Sequence, residues 1–130
     1  DVVFISNILE HLKDAEEIEE TLKESKRVLK SGGTLMILQP NIKYAYKEYW
    51  DFFDHVVPLS HKGTVEALLK NGYKVVEVRP RFLPYSSKES VPKFEVLIKL
   101  YLLLKPIQNL LGKQMFIVAK KPEASQRGKP

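Results

Sequence analysis

The 130 residues suffice for one domain, and 44% hydrophobic with 28% charged residues is the composition of an ordinary globular chain. The absence of cysteine excludes a disulfide framework and thiolate metal sites, and it suits a reducing cytoplasm, where the protein is expected to act. No apolar run is long enough for a transmembrane segment, and no signal-peptide pattern is present.

The formal net charge of +5 is unevenly placed: residues 1–24 carry −6 and the remainder +11. A basic C-terminal part suits a nucleic-acid or anionic-membrane surface, or simply a lysine-rich solvated face with a basic tail. No RNA or DNA module pattern accompanies it.

In chain order, Val2 to Ile5 is a continuous apolar run, followed by a polar turn at Ser6 and Asn7. Residues 14–30 predict a helix with Ala15, Ile18, Leu22, Ser25 and Leu29 inward. Asp14 and Glu17 form a capping box, acids crowd the first turns, and bases fill the last. Gly32-Gly33 stops the helix, and Thr34 to Leu38 is a second apolar run ending in Gln39-Pro40-Asn41. Continuous apolar strands of this kind lie parallel with helices over both faces, so Asp1 to Asn41 predicts a strand–helix–strand unit. Such units place ligand groups at the carboxyl ends of their strands.

Residues 42–59 hold six of the 13 aromatics (Tyr44, Tyr46, Tyr49, Trp50, Phe52, Phe53), with Asp51, Asp54 and His55 among them and His61 just beyond. This segment is either a substrate lid, with aromatic faces for a flat or cationic ligand and an acid or histidine for proton transfer, or a short helix packed at the sheet edge. Asp54, His55 and His61 match no metal-ligand spacing, so no metal is expected. Ser60 caps a helix from His61 to Asn71 with Val65, Leu68 and Leu69 inward, stopped by Asn71-Gly72. Tyr73 to Val78 predicts a strand ended by Arg79-Pro80-Arg81. A loop over 82–92 follows, then an apolar helix over 93–104 closed by Lys105-Pro106. That helix either contacts a membrane surface with its lysines reaching outward, or covers a sheet face or the substrate site. Gln114 to Lys120 is the last strand, and residues 122–130 form a basic tail expected to be disordered.

Three stretches together resemble the C-terminal half of a class I S-adenosylmethionine-dependent methyltransferase. They are Asp1–Leu12 (DVVFISNILEHL), Arg27–Ile37 (RVLKSGGTLMI) and Lys70–Val76 (KNGYKVV). In that family they are the fourth strand and its loop, the helix and fifth strand (usually with Pro where this chain has Ser31), and the entry to the sixth strand. Gln114–Lys120 matches the seventh, inserted antiparallel between the fifth and sixth. The resemblance implies an α/β fold, namely half of a Rossmann-like sheet with an antiparallel last strand and helices on both faces. It implies S-adenosylmethionine as cofactor, with Ser6, Asn7, Ile8, Glu10 and His11 along the cofactor crevice. Gln39, Asn41, Tyr44, Tyr49, Trp50 and Phe53 would face the acceptor. The implied chemistry is in-line methyl transfer, with His55, His61 or His11 as base where the acceptor needs one.

The family's glycine-rich loop and its ribose-binding acid are not among these residues. The expectation is therefore a partial domain over 1–121, unable alone to bind the cofactor tightly or turn over, with its first strand as an apolar edge. The acceptor is expected to be a small or lipid-like molecule; the basic part leaves nucleic acid open. The alternatives are a non-catalytic interaction domain and another doubly wound nucleotide-dependent enzyme.

Overall fold

The computed structural model describes residues 1–85 and 95–124. Strand β1 (Val2–Ser6) runs parallel to β2 (Thr34–Pro40), and β4 (Gln114–Lys120) lies antiparallel between β2 and β3 (Lys74–Leu83). The order is thus β1-β2-β4-β3. Helix α1 (Ala15–Val28) connects the parallel pair, capped as expected by Asp14, whose Oδ1 accepts from Glu17 N at 3.0 Å. Helix α3 (His61–Lys70) precedes β3, with Ser60 Oγ accepting from Gly63 N at 3.1 Å. Gly72, at φ 72°, takes the left-handed conformation that ends α3.

Alternate residues of the central strands build the core. Leu35, Ile37, Met115, Ile117 and Ala119 pack against Ile18 and Leu22 of α1, Leu68 of α3, and Tyr73. The Tyr73 hydroxyl donates to Leu22 O at 3.0 Å, tying α1 to the entry of β3. Among the described residues β1 ends the sheet, which gives the expected edge, and on its outer face the apolar Val2 and Phe4 remain 59% and 57% exposed.

Several boundaries differ from expectation. Ala15 and Leu69 face solvent, because the inward rows run through Ile18, Leu22 and Ser25 on α1 and through Thr64 and Leu68 on α3. Strand β3 does not stop at Arg79-Pro80-Arg81 but continues to Leu83. Pro80 falls within a register shift between Arg79 and Leu83, in a strand that among the described residues has no neighbour on its other side. At such a place a missing N–H costs no ladder bond. The apolar helix closes before Lys105-Pro106 as expected, since α4 (Glu95–Leu103) ends there, but an unexpected further helix, α5 (Lys105–Leu111), follows directly. Pro106 sits in the first turn of α5, where its absent N–H has no intrahelical partner to lose. The loop expected over 86–92 and the helix start at Lys93 lie outside the described residues, as does 125–130. The chain after β4 stays docked at least to Ala124, whose N donates to Ser31 Oγ at 2.7 Å.

Arg81 and Gly112 join the α4–α5 pair to β3. The guanidinium donates to Gly112 O at 2.8 Å and Leu110 O at 2.6 Å, while the Tyr101 hydroxyl donates to Phe82 O at 2.6 Å. A Cβ on Gly112 would lie 2.6 Å from Arg81 C and Gln108 O. Backbone cannot yield there as a flexible side chain would. Gly112→Ala is expected to lower stability by about 1–3 kcal/mol, the usual cost of overpacking, read as a drop in the denaturant midpoint.

Candidate active site

The loops after β1 and β2 meet over the carboxyl ends of those two strands. Asn7 leaves β1 at φ 49°, a left-handed conformation that Asn tolerates, and its N donates to Leu38 O at 2.9 Å. The chain then turns back through a 3-10 turn at Leu9–His11, anchored by the fully buried Leu9. Glu10 O accepts from Val56 N at 2.8 Å and Val57 N at 3.2 Å, which stitches the aromatic loop to this turn. Tyr49 holds the same loop from inside. It is fully buried, its hydroxyl donating to Val57 O and accepting from Leu59 N at 3.3 Å.

This stitching brings Glu10, His11, Asp54 and His55 together. His11 Nδ1 lies 3.0 Å from Asp54 O and 3.3 Å from Asp54 Oδ2. An Nδ1–H donated to that carbonyl leaves Nε2 bare, 3.8 Å from Glu10 Oε1. His55 is 6% exposed at the centre of an aromatic cluster. Its ring lies 4.9 Å from His11 and Tyr49 and 4.8 Å from Phe52, with the Tyr85 hydroxyl 3.4 Å from Nε2. Glu10 is 1% exposed, and among the described residues both Glu10 Oε2 and His55 Nδ1 lack a hydrogen-bond partner.

Burial sets the electrostatics. It raises the Glu10 carboxyl above the usual carboxylate range, with Asp54 adding to the effect. It holds the His55 imidazole below its ordinary value, so that ring is neutral at pH 7. The Tyr85 hydroxyl is pushed up to about 12, again chiefly by burial, with Glu10 and Asp54 contributing. The group thus combines a buried acid, a neutral imidazole and an exposed imidazole oriented by a carbonyl.

The remaining candidate residues fall elsewhere. Asn41, fully buried, donates from Nδ2 to His61 Nδ1 at 2.9 Å and to Pro80 O at 3.0 Å, while its Oδ1 accepts from Lys43 N at 3.2 Å, capping α2 (Ile42–Ala45). His61 stacks on Tyr44 at 6.3 Å and belongs to this second group. Burial, then Lys43 and Lys62, hold its imidazole below the ordinary value. Gln39 is buried against Thr64, whereas Trp50 and Phe53 stand 56% and 101% exposed. Ser6, Asn7 and Ile8 form the outer lip of the first loop, with Ile8 48% exposed. Tyr85 was not among the candidates; its only sequence signal is an aromatic placed just after Pro84.

The antiparallel strand seated between β2 and β3 decides the architecture. The chain has the class I methyltransferase fold. Residues 1–37, covering α1 and most of the parallel pair, match the methyltransferase domain family. A methyltransferase-fold neighbour is the S-adenosylmethionine-dependent methyltransferase of Archaeoglobus fulgidus: 23% identity and TM-score 0.65 over 93% of this chain and 59% of that one. Another comes from Methanosarcina mazei, at 16% identity and TM-score 0.62 over 95% and 60%. The cyclase SpnF has the same fold at 16% identity and TM-score 0.58 over 95% and 50%. The chain therefore spans about half to three fifths of the length of these structures. No curated protein sequence matches it. Because a cyclase shares the methyltransferase fold, the chemistry has to be argued from the site.

Proposed function

We propose that residues 1–121 form the acceptor-side part of a catalytic domain that transfers a methyl group from S-adenosylmethionine to a small, lipid-like acceptor in the cytoplasm. The observation that carries this reading is the meeting of Glu10, His11, Asp54 and His55 at the carboxyl ends of two parallel strands. The cofactor fits the lip beside them. Ile8 offers an exposed apolar face for a flat ring, and Ser6 and Asn7 offer a hydroxyl and an amide next to it. When bound there, the cofactor supplies an electrophilic methyl on a sulfonium.

The chain's own residues do the positioning and the proton handling. Trp50 and Phe53 line the solvent side of the aromatic loop and hold the acceptor. His11, kept in one tautomer by the Asp54 carbonyl, takes the acceptor's proton on Nε2. Glu10 and His55 lie behind it in the dry interior of the loop. Incubating the whole protein with labelled S-adenosylmethionine and small-molecule, lipid and RNA pools tests the proposal. Label is expected in the lipid pool, and no label in any pool would end it.

Helices α4 and α5 supply the reason for a lipid-like acceptor. No residue of α4 is buried, and Val96, Leu103 and Leu110 are 73–78% exposed, with Lys99 and Lys105 between them. No helix of the described residues is long and apolar enough to cross a membrane. An apolar surface edged by lysines suits the headgroup region of an anionic bilayer. The protein is expected to co-sediment with phosphatidylserine-containing vesicles more than with neutral ones. Val96→Asp with Leu103→Asp should weaken that binding at least about tenfold, given about 1.5–3 kcal/mol for each buried side chain. Equal recovery of wild type and double variant would remove the membrane role.

A further inference from the structure

We propose that Glu10, His11 and His55 form a site for one divalent first-row cation of the zinc type. One ligand atom from each of the three residues lies within 4.8 Å of the others. The spacing of Asp54, His55 and His61 matches no metal-ligand pattern, so no metal is expected from it; the fold places His61 against Asn41 and Tyr44 and brings Glu10 and His11 to His55 instead.

Two observations point to a cation. Glu10 is 1% exposed and leaves Oε2 without a partner, and among the described residues no lysine or arginine pairs with its carboxylate. A buried carboxylate without such a partner is costly, and a metal ion relieves that cost. His55, 6% exposed, has Nδ1 unpartnered among the described residues as well.

The outer contacts are those that orient imidazole ligands. His11 gives its Nδ1–H to Asp54 O, which leaves Nε2 as donor to an ion; Asp54 Oδ2 stands 3.3 Å from the same nitrogen. The His55 tautomer that donates Nε2–H to the Tyr85 hydroxyl leaves Nδ1 as the other donor. Two imidazoles and one carboxylate is a donor set for zinc and its neighbours, with an open position for water or an oxygen ligand. The exposed His11 marks the solvent side. Closing onto an ion at about 2.0–2.2 Å from each ligand atom requires a small inward turn of His11 and Glu10, which the surface position of His11 permits.

This deepens the role given to the cluster and rests on its place at the acceptor side. An ion held there would take His11 Nε2 as a ligand and would polarise an acceptor oxygen at the open position, so His11 would act as the base only in the ion-free protein. Metal binding is read without cofactor or acceptor, so its failure and that of methyl transfer are separate results.

The test strips the protein with a chelator and titrates it with Zn²⁺ by calorimetry and Co²⁺ by visible absorption. One ion per chain is expected, with a visible Co²⁺ band and a raised melting temperature. Glu10→Gln and His11→Gln should each weaken binding at least about tenfold, the lower end of what even outer-contact changes cost. His61→Gln should bind as wild type. His11 is at the surface, so its variant stays folded, as far-UV circular dichroism would verify. Absence of saturable binding overturns the site. So does unchanged affinity in either Glu10→Gln or His11→Gln, or loss of binding in His61→Gln.

Discussion

His11→Gln is expected to lower the kcat of the proposed methyl transfer by about 10²- to 10⁴-fold, the range for removing a positioned proton acceptor, with the melting temperature of the metal-free protein unchanged. The reason lies in its setting. His11 is exposed, so losing the imidazole removes no core packing, and surface changes of this kind stay within about 0.5 kcal/mol. Its Nδ1 is committed to the Asp54 carbonyl at 3.0 Å, so the ring presents one defined nitrogen to a ligand. His55→Gln is a poorer probe. Its ring is packed among Tyr49, Phe52 and Tyr85, and the substitution would open that cluster. Steady-state kinetics of the whole protein check the expectation: kcat falls while KM for the cofactor holds. An unchanged kcat would move proton transfer to the Asn41–His61 group.

Ile117→Ala is expected to cost about 2–5 kcal/mol, typical for emptying a buried branched side chain. Against a total stability of about 5–15 kcal/mol, that is a large part of the whole. Ile117 is fully buried at the middle of the sheet, with Ile37 opposite on β2 and Val78 opposite on β3. It belongs to the cluster that also holds Leu22 and Leu68, so little around it can collapse into the gap. Phe53→Ala, by contrast, removes a ring that is 101% exposed and should shift stability by no more than about 0.5 kcal/mol. Urea unfolding of both variants measures the difference. The Ile117 midpoint should drop at unchanged slope, and equal midpoints would show that β4 is not the centre of the core.

The parts of the fold legible in the sequence are those where local signals and burial agree. Residues 1–41 combine two apolar runs, a capped amphipathic helix and a glycine stop, and each signal demands the same parallel unit. Gln114–Lys120 was readable to its ends because turn residues and a polar segment bound it. Pro80 misled because a proline ends a ladder only where a neighbour needs its N–H, and the register shift removes that need. Lys105-Pro106 did mark the end of α4, but α5 was missed because Pro106 reads as a stop, whereas in the first turn of a new helix its missing N–H is harmless.

The site was legible as a list of residue types but not as a grouping. His11 and His55 lie 44 positions apart, and what joins them is the docking of Val56 and Val57 on the Glu10 carbonyl, a backbone contact that no spacing rule announces. The aromatic loop shows the same limit. Composition marked all six rings, yet Tyr49 turned inward to hold the loop while Phe53 turned fully outward.

In the proposed reading, cofactor and acceptor meet where β1 and β2 end. Ultraviolet crosslinking of labelled S-adenosylmethionine to the whole protein, followed by peptide mapping, tests this most directly. Label on the peptide spanning Ser6–His11, displaced by unlabelled cofactor, is the predicted result. Displaceable label on β3 or the α4–α5 pair, with none on Ser6–His11, would contradict it.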